Sequence, residues 1–169
     1  MTKILKGAFI VDPLDRVDAE IVQRLQMDGR LSNTKLAEEL HLSDASCWRR
    51  LRRLEEQGVI QGYEAIVNRR KVGCGVVAFV QIVCTQHGDE VTAAFERAIL
   101  ACPQVLACHN TTGEADFLLQ VVARDLDDYS RFVERVLRKL PGVSSIRSNL
   151  SLRELKETHQ LPIANLIGL

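Results

Sequence analysis

The chain has 169 residues, 46% of them apolar and 26% charged, which fits a soluble globular protein of one or two domains. Its 22 basic and 22 acidic residues cancel, so bulk charge gives no sign of a nucleic-acid partner, and any such sign has to come from a local cluster. Five cysteines, without a Cys-x-x-Cys or His-x-x-x-His pair, speak against a zinc site and a disulfide framework and read as small buried apolar residues in a reducing compartment.

Residues 1–13 are expected to be an N-terminal tail. The apolar stretch Ala8–Val11 is too short for a signal peptide or a membrane span, so a cytoplasmic protein is expected. Asp15 is a good cap for a first helix with apolar positions Val17, Ile21, Val22 and Leu25, which Gly29 is expected to end. Ser32 caps a second helix carrying Leu36, Ala37 and Leu40, with Leu31 and Leu36 spaced as a hydrophobic staple. Only His41 and Leu42 separate it from Ser43, the cap of a third helix that Gly58 ends. Two amphipathic helices joined by so short a turn form a helix-turn-helix, whose second helix enters the DNA major groove.

The third helix holds Trp48-Arg49-Arg50-Leu51-Arg52-Arg53. Cys47, Leu51 and Leu54 line its apolar face, with Ala45, Arg49, Arg52 and Glu56 opposite. Ser46, Trp48 and Arg53 flank the outer face. Arg50 lies at the stripe's edge, so its stem is expected to pack while its head reaches water. Guanidinium groups on one helical face release counterions from phosphates and pair in bidentate fashion with guanine edges. A solvated basic face that binds nothing is the competing reading. Trp48 either stacks on a base or sugar or covers a neighbouring helix. The candidate DNA-contacting residues are Ser32, Asn33, Ser43, Asp44, Ala45, Ser46, Trp48, Arg49, Arg50, Arg52 and Arg53.

Residues 14–62 therefore form a DNA-binding domain. Val59 to Val67 is rich in β-formers and reads as a strand, making the domain winged or strand-tethered. Residues 63–74 read as a linker. Gly73 and Gly75 are too close together for a dinucleotide loop. The next domain, residues 75–158, alternates clearly. A buried strand covers Val76–Cys84, and a helix carries Val91, Ala94, Phe95, Ala98 and Ile99. A second strand runs from Val105 to Thr111, then comes the turn Thr112-Gly113-Glu114-Ala115-Asp116, then a third strand from Phe117 to Ala123. Asp125 caps a helix carrying Leu126, Tyr129, Phe132, Val133, Val136, Leu137 and Leu140, which Pro141-Gly142 stops. A fourth strand is expected over Val143–Leu155, and residues 159–169 as a C-terminal tail.

The fold class is α+β: a winged helix-turn-helix followed by a ferredoxin-like βαββαβ domain, an antiparallel sheet with two helices on one face. The first and third strands are central there, and both are apolar on both faces. Helices cover one face only, so the other predicts a second copy of the chain.

Leu42-Ser43-Asp44-Ala45-Ser46-Cys47-Trp48-Arg49-Arg50-Leu51, with Arg53 to Ile60 after it, resembles the helix-turn-helix of the leucine-responsive/asparagine-regulator (Lrp/AsnC) family of prokaryotic transcription regulators. The βαββαβ half resembles that family's amino-acid-sensing domain, through the 112–116 turn and the closing Leu161-Pro162-Ile163. Ala115 departs from the pattern, standing where many members carry an aromatic residue. The resemblance implies a homodimer that assembles further, often to an octamer of four dimers with DNA wrapped around it. It also implies a free amino acid bound between subunits near the turn.

Within that implied site, the backbone N–H groups of Thr112, Gly113 and Glu114 suit a carboxylate. Glu114 or Asp116 suits an ammonium group, and Arg147, Asn149 and Ser151 of the last strand are candidates from a neighbouring subunit. An ordinary hairpin turn that needs Gly113 at positive φ is the alternative. The function expected is a sequence-specific DNA-binding regulator of amino-acid metabolism with an amino-acid effector and no cofactor or metal. The alternative is an architectural DNA-wrapping protein that needs no effector. No nucleophile with its base, acid pair or cofactor motif supports an enzyme.

Overall fold

The computed structural model describes residues 14–85 and 88–163. The expected tail at 1–13, the last residues of the chain and His87 lie outside them. The chain divides into two compact units. One spans Val67–Leu155, and the other joins the helical segment up to Ile66 with the segment from Lys156 onward.

The helical unit is built on α1 (Arg16–Met27), α2 (Asn33–Glu39) and α3 (Asp44–Glu56). Each begins on a side-chain cap: Asp15 accepts from the N–H of Asp18, Ser32 from Lys35 and Ser43 from Ser46. α1 ends at Met27, two residues before Gly29, with Asp28 as the cap and its carboxylate accepting the N–H of Arg30. The α2–α3 turn is a Schellman motif: Leu42 N–H donates to Ala37 and His41 N–H to Glu38. His41 accordingly sits at φ 53°, a left-handed conformation that side chains seldom adopt. Ile21, Leu36, Cys47 and Leu54 are fully buried in the core, with Leu31, Leu42 and Leu51 packed against it.

Residues 59–67, expected as a strand, form none. Val59 and Ile60 pack on the helical core, Ile60 N–H donates to Leu54, and the Tyr63 hydroxyl donates to Glu55 Oε1 at 3.0 Å. These anchors hold the segment to α3, and no other strand of the described residues lies alongside to satisfy a ladder. Burial, with the Glu55 contact second, pushes the Tyr63 hydroxyl up to about 12.

Residues 159–163, expected as a trailing tail, also belong to this unit. Gln26 makes a two-way clasp with Leu161, accepting its N–H at 2.6 Å and donating to its carbonyl at 3.1 Å. Ile163 is buried in the helical core.

The other unit is a four-stranded sheet in the order β2-β3-β1-β4, formed by β1 (Val76–Cys84), β2 (Val105–Asn110), β3 (Phe117–Ala123) and β4 (Val143–Leu150), with every pairing antiparallel. α4 (Asp89–Leu100) follows β1, and α5 (Leu126–Arg135) follows β3 and passes into a 3-10 turn at Leu137–Lys139. Ala78, Val80 and Ile82 of β1 and Leu119 and Val121 of β3 form one core with Phe95 and Ile99 of α4 and Phe132 of α5. By alternation, Phe79, Gln81, Leu118, Gln120 and Val122 lie on the opposite face. Phe79 is 41% exposed there.

Three expectations shift. β4 stops at Leu150 and not Leu155, because its partner β1 begins at Val76 and the pairing runs out one residue later, where Ser151 N–H donates to Val77. β2 ends at Asn110, one residue short. Leu126, counted in the apolar stripe of α5, is the first residue of its helix and is exposed. No helix among the described residues is long and apolar enough to cross a membrane.

Candidate nucleic-acid interface and effector turn

The four arginines of α3 meet different fates. Arg50 donates to Asp15 Oδ2 at 2.5 Å and to Asp18 Oδ1 at 2.8 Å, while Arg53 donates to Asp18 Oδ2. Asp18 is 3% exposed, a buried carboxylate with an oxygen committed to each guanidinium. The matched i, i+3 spacings explain the grip: Asp15 and Asp18 lie on one side of the start of α1, and Arg50 and Arg53 on one side of α3. Helical-wheel reasoning sends the Arg50 head to water and Arg53 to the outer flank. Instead the α1 carboxylates draw both toward them. At Asp15, desolvation pushes the carboxyl up, but the Arg50 contact and the Asp18 N–H outweigh it, and the group sits below its ordinary value. The carboxylates of Asp15 and then Asp18 in turn raise Arg50.

Arg49 and Arg52 project the other way. Arg49 is exposed and has no partner among the described residues. Arg52 lies 5.8 Å from the ring centroid of Trp48 and 3.6 Å from a Glu55 oxygen, loose contacts on an exposed side chain. Trp48 is 57% exposed, so it does not serve to cover a neighbouring helix. Ser43, Asp44 and Ala45 are exposed at the helix start, with Ser46 half-buried beside them. Ser32 is occupied as a cap. Asn33 is half-buried and donates to the Asp44 carbonyl at 3.0 Å, tying the first turn of α2 to that of α3. The outward set is thus Trp48, Arg49 and Arg52 with the exposed start of α3.

At the 112–116 turn, Gly113 has φ 122°, open only to glycine at low cost. The turn is closed by Thr111 N–H to the Asp116 carbonyl and by the Thr111 hydroxyl to Ala115, and Asn110 donates to Asp116 as well. The Asp116 carboxylate accepts the N–H of Cys84 at 2.7 Å, which pins the turn to the end of β1. Of the two acids considered for an ammonium group, Asp116 is therefore structural. Glu114 is exposed and only 3.7 Å from Arg147, whose side chain is also exposed. The N–H groups of Thr112, Gly113 and Glu114 find no acceptor among the described residues. Asn149 lies exposed on β4, opposite Phe79, and half-buried Ser151 follows the strand. No group of three or more potential metal ligands occurs among the described residues.

The Asp18 grip and the Gln26 clasp escaped sequence reasoning. The paired i, i+3 spacings of acids and arginines carried a signal for the first. Nothing local marks the second, which joins residues 135 positions apart.

Residues 14–61 match a family model described as winged helix-turn-helix DNA-binding, and residues 77–161 one described as the Lrp/AsnC ligand binding domain. Over 150 residues, 89% of this chain, the sequence is 35% identical to the DNA-binding transcriptional activator DecR of Escherichia coli (strain K12), of which it covers 99%. It is also 35% identical, over the same share, to the leucine-responsive regulatory protein of Salmonella typhimurium, of which it covers 92%. A transcriptional regulator of Neisseria meningitidis, solved in complex with L-methionine, superposes with a TM-score of 0.86 at 36% identity, covering 91% of this chain and 99% of that one. The feast or famine regulatory protein of M. tuberculosis, complexed with L-methionine, gives 0.78 at 30% identity, covering 88% and 99%. The chain belongs to the Lrp/AsnC family, whose members are DNA-binding transcription regulators and not enzymes.

Proposed function

We propose that this protein is a sequence-specific regulator that reads DNA with Trp48, Arg49, Arg52 and the exposed start of α3 and responds to a free amino acid. The observation that supports the DNA reading best is Arg49, an exposed guanidinium that no acid of the described chain neutralises. Set into the major groove, it can pair with a guanine edge, while Arg52 takes a phosphate or stacks with Trp48.

The effector reading draws on the turn and on the two relatives that hold L-methionine. A carboxylate fits the free N–H groups of Thr112, Gly113 and Glu114, and the exposed Glu114 carboxylate suits an α-ammonium. The same likeness favours sensing over an effector-independent wrapping protein. We also propose that the protein works as a cytoplasmic homodimer that assembles further. Phe79, Leu118 and Val122 lie on the sheet face without helices, and Ile66 and Val67 are exposed beyond Tyr63, surfaces that a second copy would cover. Arg147, Asn149 and Ser151 would then line an effector site at or near that interface.

The DNA reading is tested with a duplex selected by the protein from a random pool. Arg49→Ala is expected to weaken binding by about 1–3 kcal/mol and relax base preference at one position per half-site. Unchanged affinity and unchanged preference would contradict it.

A further inference from the structure

We infer that Asp18 sets the DNA specificity of the recognition helix by withholding Arg50 and Arg53 from the duplex. The inference rests on the DNA reading above and refines it. A helix with four arginines in five positions is expected to bind any DNA strongly, since every guanidinium can neutralise a phosphate whatever the base sequence. Such a helix gains affinity everywhere and discriminates poorly. Here the start of α1 answers with two carboxylates. Asp18, almost fully buried, gives one oxygen to Arg50 and the other to Arg53, and Asp15 adds a second contact to Arg50.

The two guanidiniums remain close to the outer surface, with 26% and 48% of their side chains exposed. Released, their long stems can turn toward the backbone of DNA lying along α3. Held, they orient α3 against α1 and carry little net charge to the interface. What remains outward is Arg49, unpaired, and Arg52, loosely engaged. Asp18 is therefore a positioning residue whose effect is read in the ratio of specific to non-specific binding.

Salt dependence separates this role from a merely structural one, because the slope of log affinity against log salt counts the phosphates neutralised, roughly 0.9 per contact. Wild-type binding to the selected duplex is measured first. Its absence would sink the DNA reading itself, not this refinement. Arg52→Gln, which removes the outward phosphate contact, is then expected to flatten the slope by about 1 per bound subunit, whereas Arg53→Gln leaves it unchanged. Asp18→Asn is expected to steepen the slope by about 1–2 per subunit. It should also tighten binding to a scrambled duplex by on the order of 5-fold per freed cation near 0.15 M salt, so that the specific-to-non-specific ratio falls.

A flattening by Arg53→Gln as large as that by Arg52→Gln would overturn the inference. So would an Asp18→Asn protein with a native circular-dichroism spectrum, an unchanged slope and an unchanged ratio. Should Asp18→Asn fail to fold, the two arginine variants still decide the matter, since both side chains are substantially exposed.

Discussion

The helical unit closes its own core, and the sheet unit does not. The three helices, the Val59–Ile60 stretch and the returning Ile163 pack around Leu36, Cys47 and Leu54, which are fully buried. In the sheet unit α4 and α5 bury one face of β1 and β3, while Phe79 on the other stays 41% exposed between Gln120 and Asn149. A unit that closes itself can carry its function outward on polar side chains. The sheet face left without helices is the surface we propose that a second copy covers.

The strongest way to break that contrast is to charge the open face. Phe79→Arg is expected to abolish self-association, so that sedimentation reports the mass of one chain where the parent reports at least two. An unchanged mass would place the interface elsewhere. Next, Leu54→Ala creates a cavity in the closed helical core and is expected to cost about 2–5 kcal/mol in denaturant unfolding of that unit, without altering the oligomeric state.

A smaller effect is expected at Asp15. Its folded carboxyl sits below the ordinary value of 3.8, so the stabilisation is present above that value and is lost as pH falls through it toward the folded one. Asp15→Asn should therefore be less stable than the parent at neutral pH, by under about 1 kcal/mol because half of the side chain is exposed, and indistinguishable from it in strong acid. A gap that persisted in acid would show that the pair with Arg50 is not its source. Smallest of all, His41→Gly relieves a left-handed φ of 53° in the α2–α3 turn and is expected to stabilise the helical unit by up to about 1 kcal/mol, read as a raised melting temperature.

Local physics made much of this legible in the sequence. The caps at Asp15, Ser32, Ser43 and Asp125 need only a side-chain oxygen and the first turn after it. The bounds of β1 and β3 follow from continuous apolar runs between turn residues. The order of the strands followed from the order of elements along the chain.

Most of the misses are non-local; the exposed Leu126, first residue of its own helix, is a local one. Whether an arginine on α3 points outward depends on α1, thirty-two to thirty-five residues away, so Arg50 and Arg53 could not be told from Arg49 and Arg52 by a helical wheel. β4 ends where β1 begins, not where its own alternation fades. The stretch from Val59 has the composition of a strand, yet Tyr63 is tied to Glu55 and no ladder partner exists within the described chain. The two acids of the 112–116 turn look alike in sequence, and only the contact with Cys84 assigns Asp116 to structure, while Glu114 stays exposed beside Arg147.

In the function proposed, an amino acid bound by the sheet unit changes how the helical unit holds DNA. The direct measurement is titration of the selected duplex with the full chain in the presence of each of the twenty amino acids in turn, at millimolar concentration. At least one of them should shift the binding midpoint by about 5- to 150-fold, the usual range for coupling between two sites, and should also raise the melting temperature of the free protein. Midpoints that coincide for all twenty, with no melting shift from any, would contradict it.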